Sequence, residues 1–337
     1  MLRTLRPLLR AAAVGLAALV WLGAIGSPAG AIDNGEWAVF PTSEGDITTR
    51  SSFVLEIEPG QSIPDSVTIR NLTPDPITFR LYPADAFNPD TGGIAVESAN
   101  EALDGAGSWI SLSTGQVEVP GRTADSVFDA TVPFTVTVPS DAAPGDHAAG
   151  IAALNVDTEV EEGGENVEVG VQRAVAVPLF IRVKGPLTPS LALSGISVDH
   201  DNPLLPVGER STQLTVTVTN DGNMRLSPEI AAKLEAFGPG GGTFDPASID
   251  NLLPGSSQTI TLELDSSPYL GPATVRIVAQ ADGVAIARST SFWTIPWLLV
   301  VVVVALALFV AWRRRRTRQH PRRPVSEEQR VPVSEVA

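Results

Sequence analysis

Two β-sandwiches in tandem, closed by one membrane-spanning helix, are the all-β architecture this sequence predicts. Three observations predict it. Short segments alternate apolar and polar residues between clusters of Pro, Gly, Asn and Asp, which is the pattern of half-buried strands. No comparable segment with a 3.6-residue period occurs between residues 32 and 294; Ile230 to Phe237 comes nearest, and its flanks favour a strand. Last, the run from Ile295 to Trp312 carries no charge and is followed at once by Arg313, Arg314, Arg315 and Arg316.

The N-terminus sets the compartment. Arg3, Arg6 and Arg10 precede an apolar run from Ala11 to Ile25, and Ala29-Gly30-Ala31 follows. Basic, then apolar, then small residues is the order of a secretory signal peptide, with cleavage expected after Ala31. Gly15, Gly23 and Gly26 make that run a weak helix and a poor permanent anchor.

Strands are expected over Phe53 to Glu58, Ser66 to Arg70, Ile77 to Tyr82, Val132 to Val138 and Val171 to Val183. A second set covers Gln213 to Thr219, Thr259 to Leu264, Ala273 to Ala279 and Val284 to Ser291. Gly185-Pro186-Leu187-Thr188-Pro189 interrupts the pattern and reads as a linker, dividing the exported part into 32–184 and 190–292. Both parts share a rhythm. SVTIRN ends at Asn71 before a turn, and LTVTVTN ends at Asn220 before Asp221-Gly222. Each part also has a Pro-Gly turn ahead of a later strand, at Pro120-Gly121 and Pro254-Gly255. Asn and Gly suit such turns because both tolerate left-handed backbone. This is the grammar of immunoglobulin-like sandwiches.

From Ile295 to Trp312 a helix rises about 27 Å, close to the hydrocarbon thickness of a bilayer. Trp297 and Trp312 mark the two interfaces, where an amphipathic ring is favoured, and Arg313 to Arg316 hold one end in the cytoplasm. The expected topology is a single pass, with both sandwiches outside and residues 313–337 inside as a basic tail.

Charge follows that division. The chain has a net charge of −15, yet residues 32–312 hold 12 Lys+Arg against 35 Asp+Glu, while residues 313–337 hold 8 against 3. An acidic exterior argues against nucleic acid, which needs cations to neutralise phosphates. The basic tail suits an anionic inner leaflet. There is no cysteine, so the exported part uses no disulfide, no thiol chemistry and no thiolate metal ligand.

Candidate chemistry is sparse. His147 and His200 are the histidines between the leader and the tail, one in each part, and His147 in Pro144-Gly145-Asp146-His147 reads as a surface turn before a strand. No G-x-S-x-G, H-E-x-x-H or phosphate-binding Gly-Lys-Ser/Thr loop occurs. No enzymatic activity, cofactor or metal is expected. Asp85, Asn88, Asp90 and Glu97 around Thr91-Gly92-Gly93 could supply oxygen ligands to calcium, but their spacing is not that of an EF-hand and suits an ordinary turn. Glu159, Glu161, Glu162, Glu165 and Glu168 around Gly163-Gly164 read as a solvated hairpin tip. Among Trp37, Trp109 and Trp293, Trp109 could stack on a sugar. However, Trp109-Ile110-Ser111-Leu112 alternates like a half-buried strand, which favours a core role.

Three phrases carry a more specific resemblance: FVLEIEPGQSIPDSVTIRN from Phe53, LYPADAFNPDTGGIAV from Leu81, and VTVPSDAAPGDHAAGIAALN from Val136, the last read as one late strand. With the acidic loop and the long strand ending at Val183, residues 37–184 resemble the peptidoglycan-binding domain of the WxL-interacting protein family, surface proteins of Gram-positive bacteria. The resemblance fades beyond residue 185, where a generic immunoglobulin-like module stands in place of the family's second domain. Trp297-Leu298-Leu299 spells W-x-L inside the anchor, by chance. The resemblance implies a non-enzymatic cell-surface protein that binds peptidoglycan or the cell wall through its first sandwich. The alternative is an adhesion or protein-interaction module whose partner is another surface protein. The sequence assigns no ligand-binding residue to either.

Overall fold

The computed structural model describes residues 32–42, 50–156, 159–162, 168–202 and 210–318. The expected cleavage point at Ala31 and the glutamate-rich tip at 163–167 lie outside them.

The first sandwich contains β1 (Ile32–Asp33), β2 (Trp37–Pro41), β3 (Phe53–Ile57), β4 (Ser62–Asn71), β5 (Ile77–Phe87) and β6 (Ala95–Val96). A 3₁₀ turn over Ala106–Trp109 leads into β7 (Ile110–Leu112) and β8 (Gln116–Val119). Then come β9 (Phe128–Thr137), β10 (Gly145–Asn155), β11 (Glu159–Glu162), β12 (Glu168–Val171) and β13 (Ala174–Val183). One sheet runs in the order β1-β2-β4-β9-β7, the other β3-β13-β10-β5-β6 with β8 also on β5. Every pairing is antiparallel except β13 with β3. β11 and β12 form a separate hairpin.

The two sheets face each other because alternate residues are apolar. In β13, Val175, Val177, Leu179, Ile181 and Val183 point inward and are buried, against Ile69, Val132, Phe134 and Val136 from the opposite sheet. Each such side chain contributes about 1.5–3 kcal/mol by leaving water. Phe53 meets Phe134 edge to face at 5.0 Å between ring centroids, and Trp37 tilts against Phe79 at 5.5 Å. That places Trp37, wholly buried, in the core.

The second sandwich contains β14 (Leu191–His200), β15 (Thr212–Asn220), β16 (Glu229–Ala236), β17 (Gly242–Thr243) and β18 (Ala247–Ser248). It ends with β19 (Ser257–Leu264), β20 (Gly271–Ala281) and β21 (Val284–Thr294). A three-stranded sheet, β14-β15-β19, packs on β17-β16-β20-β21, with β18 also on β16. The core holds Leu214, Val216, Val218, Ile230, Leu234, Val275 and Ile277. On the outer face of β15 and β19, Thr217 bonds Thr259 and Thr219 bonds Ser257, both at 2.8 Å. Such cross-strand hydroxyl pairs stabilise a solvated sheet face.

The fold is therefore all-β, with two immunoglobulin-like sandwiches and one apolar C-terminal helix, as the alternation predicts. The alternating segments fall in strands, with corrections. The expected long strand from Val171 breaks at Gln172 and Arg173. The expected single late strand from Val136 is two, the end of β9 and β10, separated by Val138 to Pro144. Prolines 139 and 144 explain that break, since neither can donate a ladder hydrogen bond.

The helix α1 spans Trp297–Arg318 and starts two residues later than the apolar run. Proline at 296 explains the delay, because the residue before a proline is kept out of helical backbone. The Pro296 carbonyl accepts the first helical bond, from the Val300 amide at 3.1 Å. Over Trp297–Arg316 the mean hydropathy is 2.1, and none of this helix is buried by the rest of the chain. It is long and apolar enough to cross a membrane. Trp312 sits at its far end, with the Arg316 guanidinium 4.1 Å from its ring centroid.

Candidate functional site at the junction of the sandwiches

The sandwiches meet where β10 begins. Asp146, the second residue of β10, donates its amide to the Asn223 carbonyl at 2.8 Å. Its carboxylate accepts from Arg182 Nε at 2.6 Å and Nη2 at 2.7 Å, a bidentate pair within the first sandwich. The same carboxylate accepts from the Arg225 amide of the second sandwich at 2.7 Å. The Arg225 guanidinium then lies 3.8 Å above the Phe180 ring, so one arginine from the second sandwich is held twice by the first.

Asn223 works in the opposite direction. Its side-chain Nδ2 donates to the carbonyls of Pro144 and Pro186, each at 2.9 Å, and its Oδ1 accepts from the Thr188 amide at 2.7 Å. One turn residue of the second sandwich thereby ties the first sandwich and the linker together. The approach is close enough to require glycine at 145: its φ is +130°, and a Cβ there would collide with the Asn223 carbonyl.

A second clamp sits across the junction. Asn88 Oδ1 accepts from the Leu253 amide at 2.8 Å, while its Nδ2 donates to Asn251 O at 3.1 Å and Gly93 O at 2.7 Å. Between the clamps lies a cavity of about 480 Å³, lined by Asp85, Ala106, His147, Asn223, Leu253 and Ser256 among others. Asp85 does not face it as a free acid. Its carboxylate accepts from the amides of Asp104 at 2.9 Å, Gly105 at 2.8 Å and Gly107 at 2.6 Å, which folds residues 104–107 around it. Gly107 is needed there, because a Cβ would run into the Ala84–Asp85 peptide. His147 Nε2 lies 2.9 Å from the Ala143 carbonyl, which can only accept, so that nitrogen carries the proton. The imidazole packs on Trp109 at 4.8 Å between centroids.

Electrostatics reinforce the junction. Burial alone would raise the Asp146 carboxyl, but the Arg182 guanidinium, the Arg225 amide and the two arginine charges outweigh it and hold it below its ordinary value. The bond to Asp146 raises Arg182 in turn, and burial lowers Arg225.

The structure redistributes the residues singled out by sequence. His147 is not a turn residue but lies within β10, opposite Ile181 of β13. His200 ends β14 in the other sandwich, against Phe292, so the two histidines form no common site. Asp85 and Asn88 spend their oxygens on backbone amides rather than standing ready for calcium. Among the described residues no group of three acidic or histidine side chains could hold a metal ion. Trp109 lies in the 3₁₀ turn rather than in a strand and is half-buried against the core. Trp293 is 72% exposed, next to the helix. Asn223 and Arg225, which bind the junction together, carry no sequence signal beyond a turn.

No family model and no curated protein matches the sequence. Solved structures match it only distantly. A chaperone–tip adhesin complex of CFA/I fimbriae biogenesis is 12% identical, covering 77% of this chain and 99% of that one, with a TM-score of 0.35. The CupB2 chaperone of Pseudomonas aeruginosa is 10% identical over 72% and 97%, with a TM-score of 0.31. A family 123 glycoside hydrolase of Clostridium perfringens is 10% identical over 45% and 28%, with a TM-score of 0.29. Likeness this distant says nothing about activity.

Proposed function

We propose that this chain is a non-enzymatic cell-surface protein, held in the membrane by α1, whose first sandwich binds peptidoglycan at the junction cavity. One observation carries the reading. Two of the phrases that resemble the WxL-interacting proteins, far apart in sequence, converge on that cavity. The middle phrase contributes Asp85 and Ala86; the late phrase contributes Ala143, Pro144, Asp146, His147 and Ala148. The cavity volume is in the range of small-ligand sites, and the half-exposed Trp109 behind His147 offers a stacking surface at its flank. A binding role fits better than hydrolysis because Asp85 and Asp146 are both committed to structural hydrogen bonds.

The test is sedimentation of the full chain, in detergent, with purified sacculi followed by a high-salt wash. Native protein is expected to sediment, and Ser256→Trp, which fills the cavity, is expected to weaken binding about tenfold or more. Native protein that stays in the supernatant overturns the peptidoglycan reading.

A second reading rests on β3. It pairs with β13 on one side and with no other described strand, and Val54 on it is 67% exposed. Another surface protein could add a strand at that edge. Because the chain lacks cysteine, Val54→Cys would provide a single thiol for crosslinking to such a partner on intact cells.

A further inference from the structure

The end of the second sandwich nearest α1 carries a group of exposed apolar side chains that the anchor does not account for. Phe237 is 68% exposed, Leu270 42%, Trp293 72% and Ile295 44%. They are distant in sequence and close in the fold. β16 ends at Ala236 opposite Ala273, and β20 begins at Gly271 opposite Thr294 of β21. The Phe237 amide donates to the Pro272 carbonyl at 3.1 Å, and Pro272 stands opposite Trp293. A Cβ placed on Gly271 would be 3.4 Å from the Phe237 ring. Three segments therefore bring aromatic and aliphatic side chains to the one end of the sheet from which α1 leaves.

The charge pattern at that end is unlike the rest of the exported part. Residues 236–244, 266–275 and 289–312 hold no charged residue at all, in a stretch that elsewhere is strongly acidic. On the β16–β20–β21 side, Glu235 lies opposite Thr274 and is paired with Lys233 at 3.1 Å. On the other sheet Asp201, Arg210 and Asp265 line a separate cavity, with Arg210 stacked on Tyr269. Beyond Ala236, Ala273 and Ser291, toward α1, the β16–β20–β21 side is neutral and largely apolar.

Two residues, Ile295 and Pro296, separate β21 from α1. Even fully extended, the chain from Thr294 to Trp297 reaches only about 11 Å. If Trp297 lies at the membrane–water boundary, this apolar end cannot stand clear of it. We propose that Phe237, Leu270, Trp293 and Ile295 form a collar that inserts into the headgroup–acyl boundary of the same bilayer, seating the second sandwich on the membrane at a fixed tilt. Aromatic and aliphatic side chains on a neutral surface are what that boundary takes up. The proposal rests on α1 being a membrane anchor, and its test separates the two claims.

The absence of native cysteine allows single labels at chosen positions. In the full chain reconstituted in phosphatidylcholine vesicles, nitroxides on F237C, L270C, A285C and L306C report depth by oxygen against nickel-chelate accessibility. Ala285 is exposed at the opposite end of β21, and Leu306 is in mid-helix. Labels at 237 and 270 are expected to be several-fold less accessible to nickel than the label at 285, with the label at 306 deepest. Labels at 237 and 270 that match 285 while 306 is deep overturn the collar alone. A nickel-accessible label at 306 overturns the anchor and the collar with it.

Discussion

Asn71 and Asn220 occupy the same place in the two sandwiches and make the same hydrogen bonds. Asn71 donates to the carbonyl four residues on, Asp75 O at 2.8 Å, and to the distant Val119 O at 3.1 Å. Asn220 donates to Met224 O at 2.8 Å and to Leu252 O at 2.9 Å. Each accepts from the amide two residues on, Thr73 at 2.9 Å and Gly222 at 3.0 Å. Both are wholly buried, so each side chain ties a strand end and its turn to a remote loop at a point water cannot reach. The Asn-plus-turn rhythm in the sequence is this device, used twice.

Removing either side-chain amide takes one donor from each of two carbonyls and the acceptor from one turn amide, although Asp75 O keeps the Thr73 hydroxyl and Leu252 O the Leu226 amide. Asn71→Ala and Asn220→Ala are each expected to cost about 2–4 kcal/mol, measured by urea unfolding of the full chain in detergent. Asn220→Asp should be no milder, because a carboxylate cannot donate to Met224 or Leu252. An Asn220→Ala variant as stable as the native chain would contradict this account.

Asp146 makes the junction sensitive to acid. Its folded-state pKa is depressed, so the stability it contributes is complete above the ordinary aspartate value near 4 and is lost as pH falls through the lower folded value. Asp146→Asn should cost about 1–3 kcal/mol at neutral pH and flatten the loss of stability below about pH 4. Thermal melts from pH 3 to pH 7 read both effects.

Asn223 and Asn88 should set the angle between the sandwiches more than the stability of either. In Asn223→Ala and Asn88→Ala, distances measured between spin labels at Glu118→Cys and Thr261→Cys are expected to broaden, more for Asn223. That ranking follows from the three bonds Asn223 makes to the first sandwich and the linker. The individual sandwiches should melt within about 1 kcal/mol of the native chain.

Gly107 and Gly35 offer a matched pair. A Cβ at 107 would strike the Ala84–Asp85 peptide, whereas at 35 nothing lies within 4 Å and only the φ of +87° resists substitution. Gly35→Ala is expected to cost about 1 kcal/mol and Gly107→Ala about 2–4 kcal/mol. The second should also release Asp85, visible as faster amide exchange at residues 104–107.

The sequence made strands legible where alternation involved β-branched or large residues, as in β4, β15 and β20. Alternation did not show them elsewhere, and β10 was legible as a strand only through the phrase from Val136. β10 is rich in Ala and buries consecutive residues from Ala149 to Ala153 on both faces, so it shows neither a period of two nor high strand propensity. β14 carries a bulge between Ser194 and Ser197, with Gly195 at φ +57°, and the slip breaks its pattern. The junction was less legible still. Asn88, Asn223 and Arg225 sit in turn-like sequence, and their importance comes only from what tertiary structure places opposite them. Trp109 and His147 were each visible as candidates, but nothing in the sequence paired them.

The second sandwich is entered at Leu191 and left at Thr294, and the ladders put these at opposite ends. Leu191 pairs with Asn220 beside the junction, whereas Thr294 pairs with Gly271 beside α1. If the first sandwich is held by the wall and α1 by the membrane, tension between them runs parallel to the strands. The ladders of β14 with β15 and of β21 with β20 are then loaded in shear, where many hydrogen bonds share the force, rather than peeled one at a time. Under such a load the second sandwich would resist extension through its unfolding rate, without needing a disulfide.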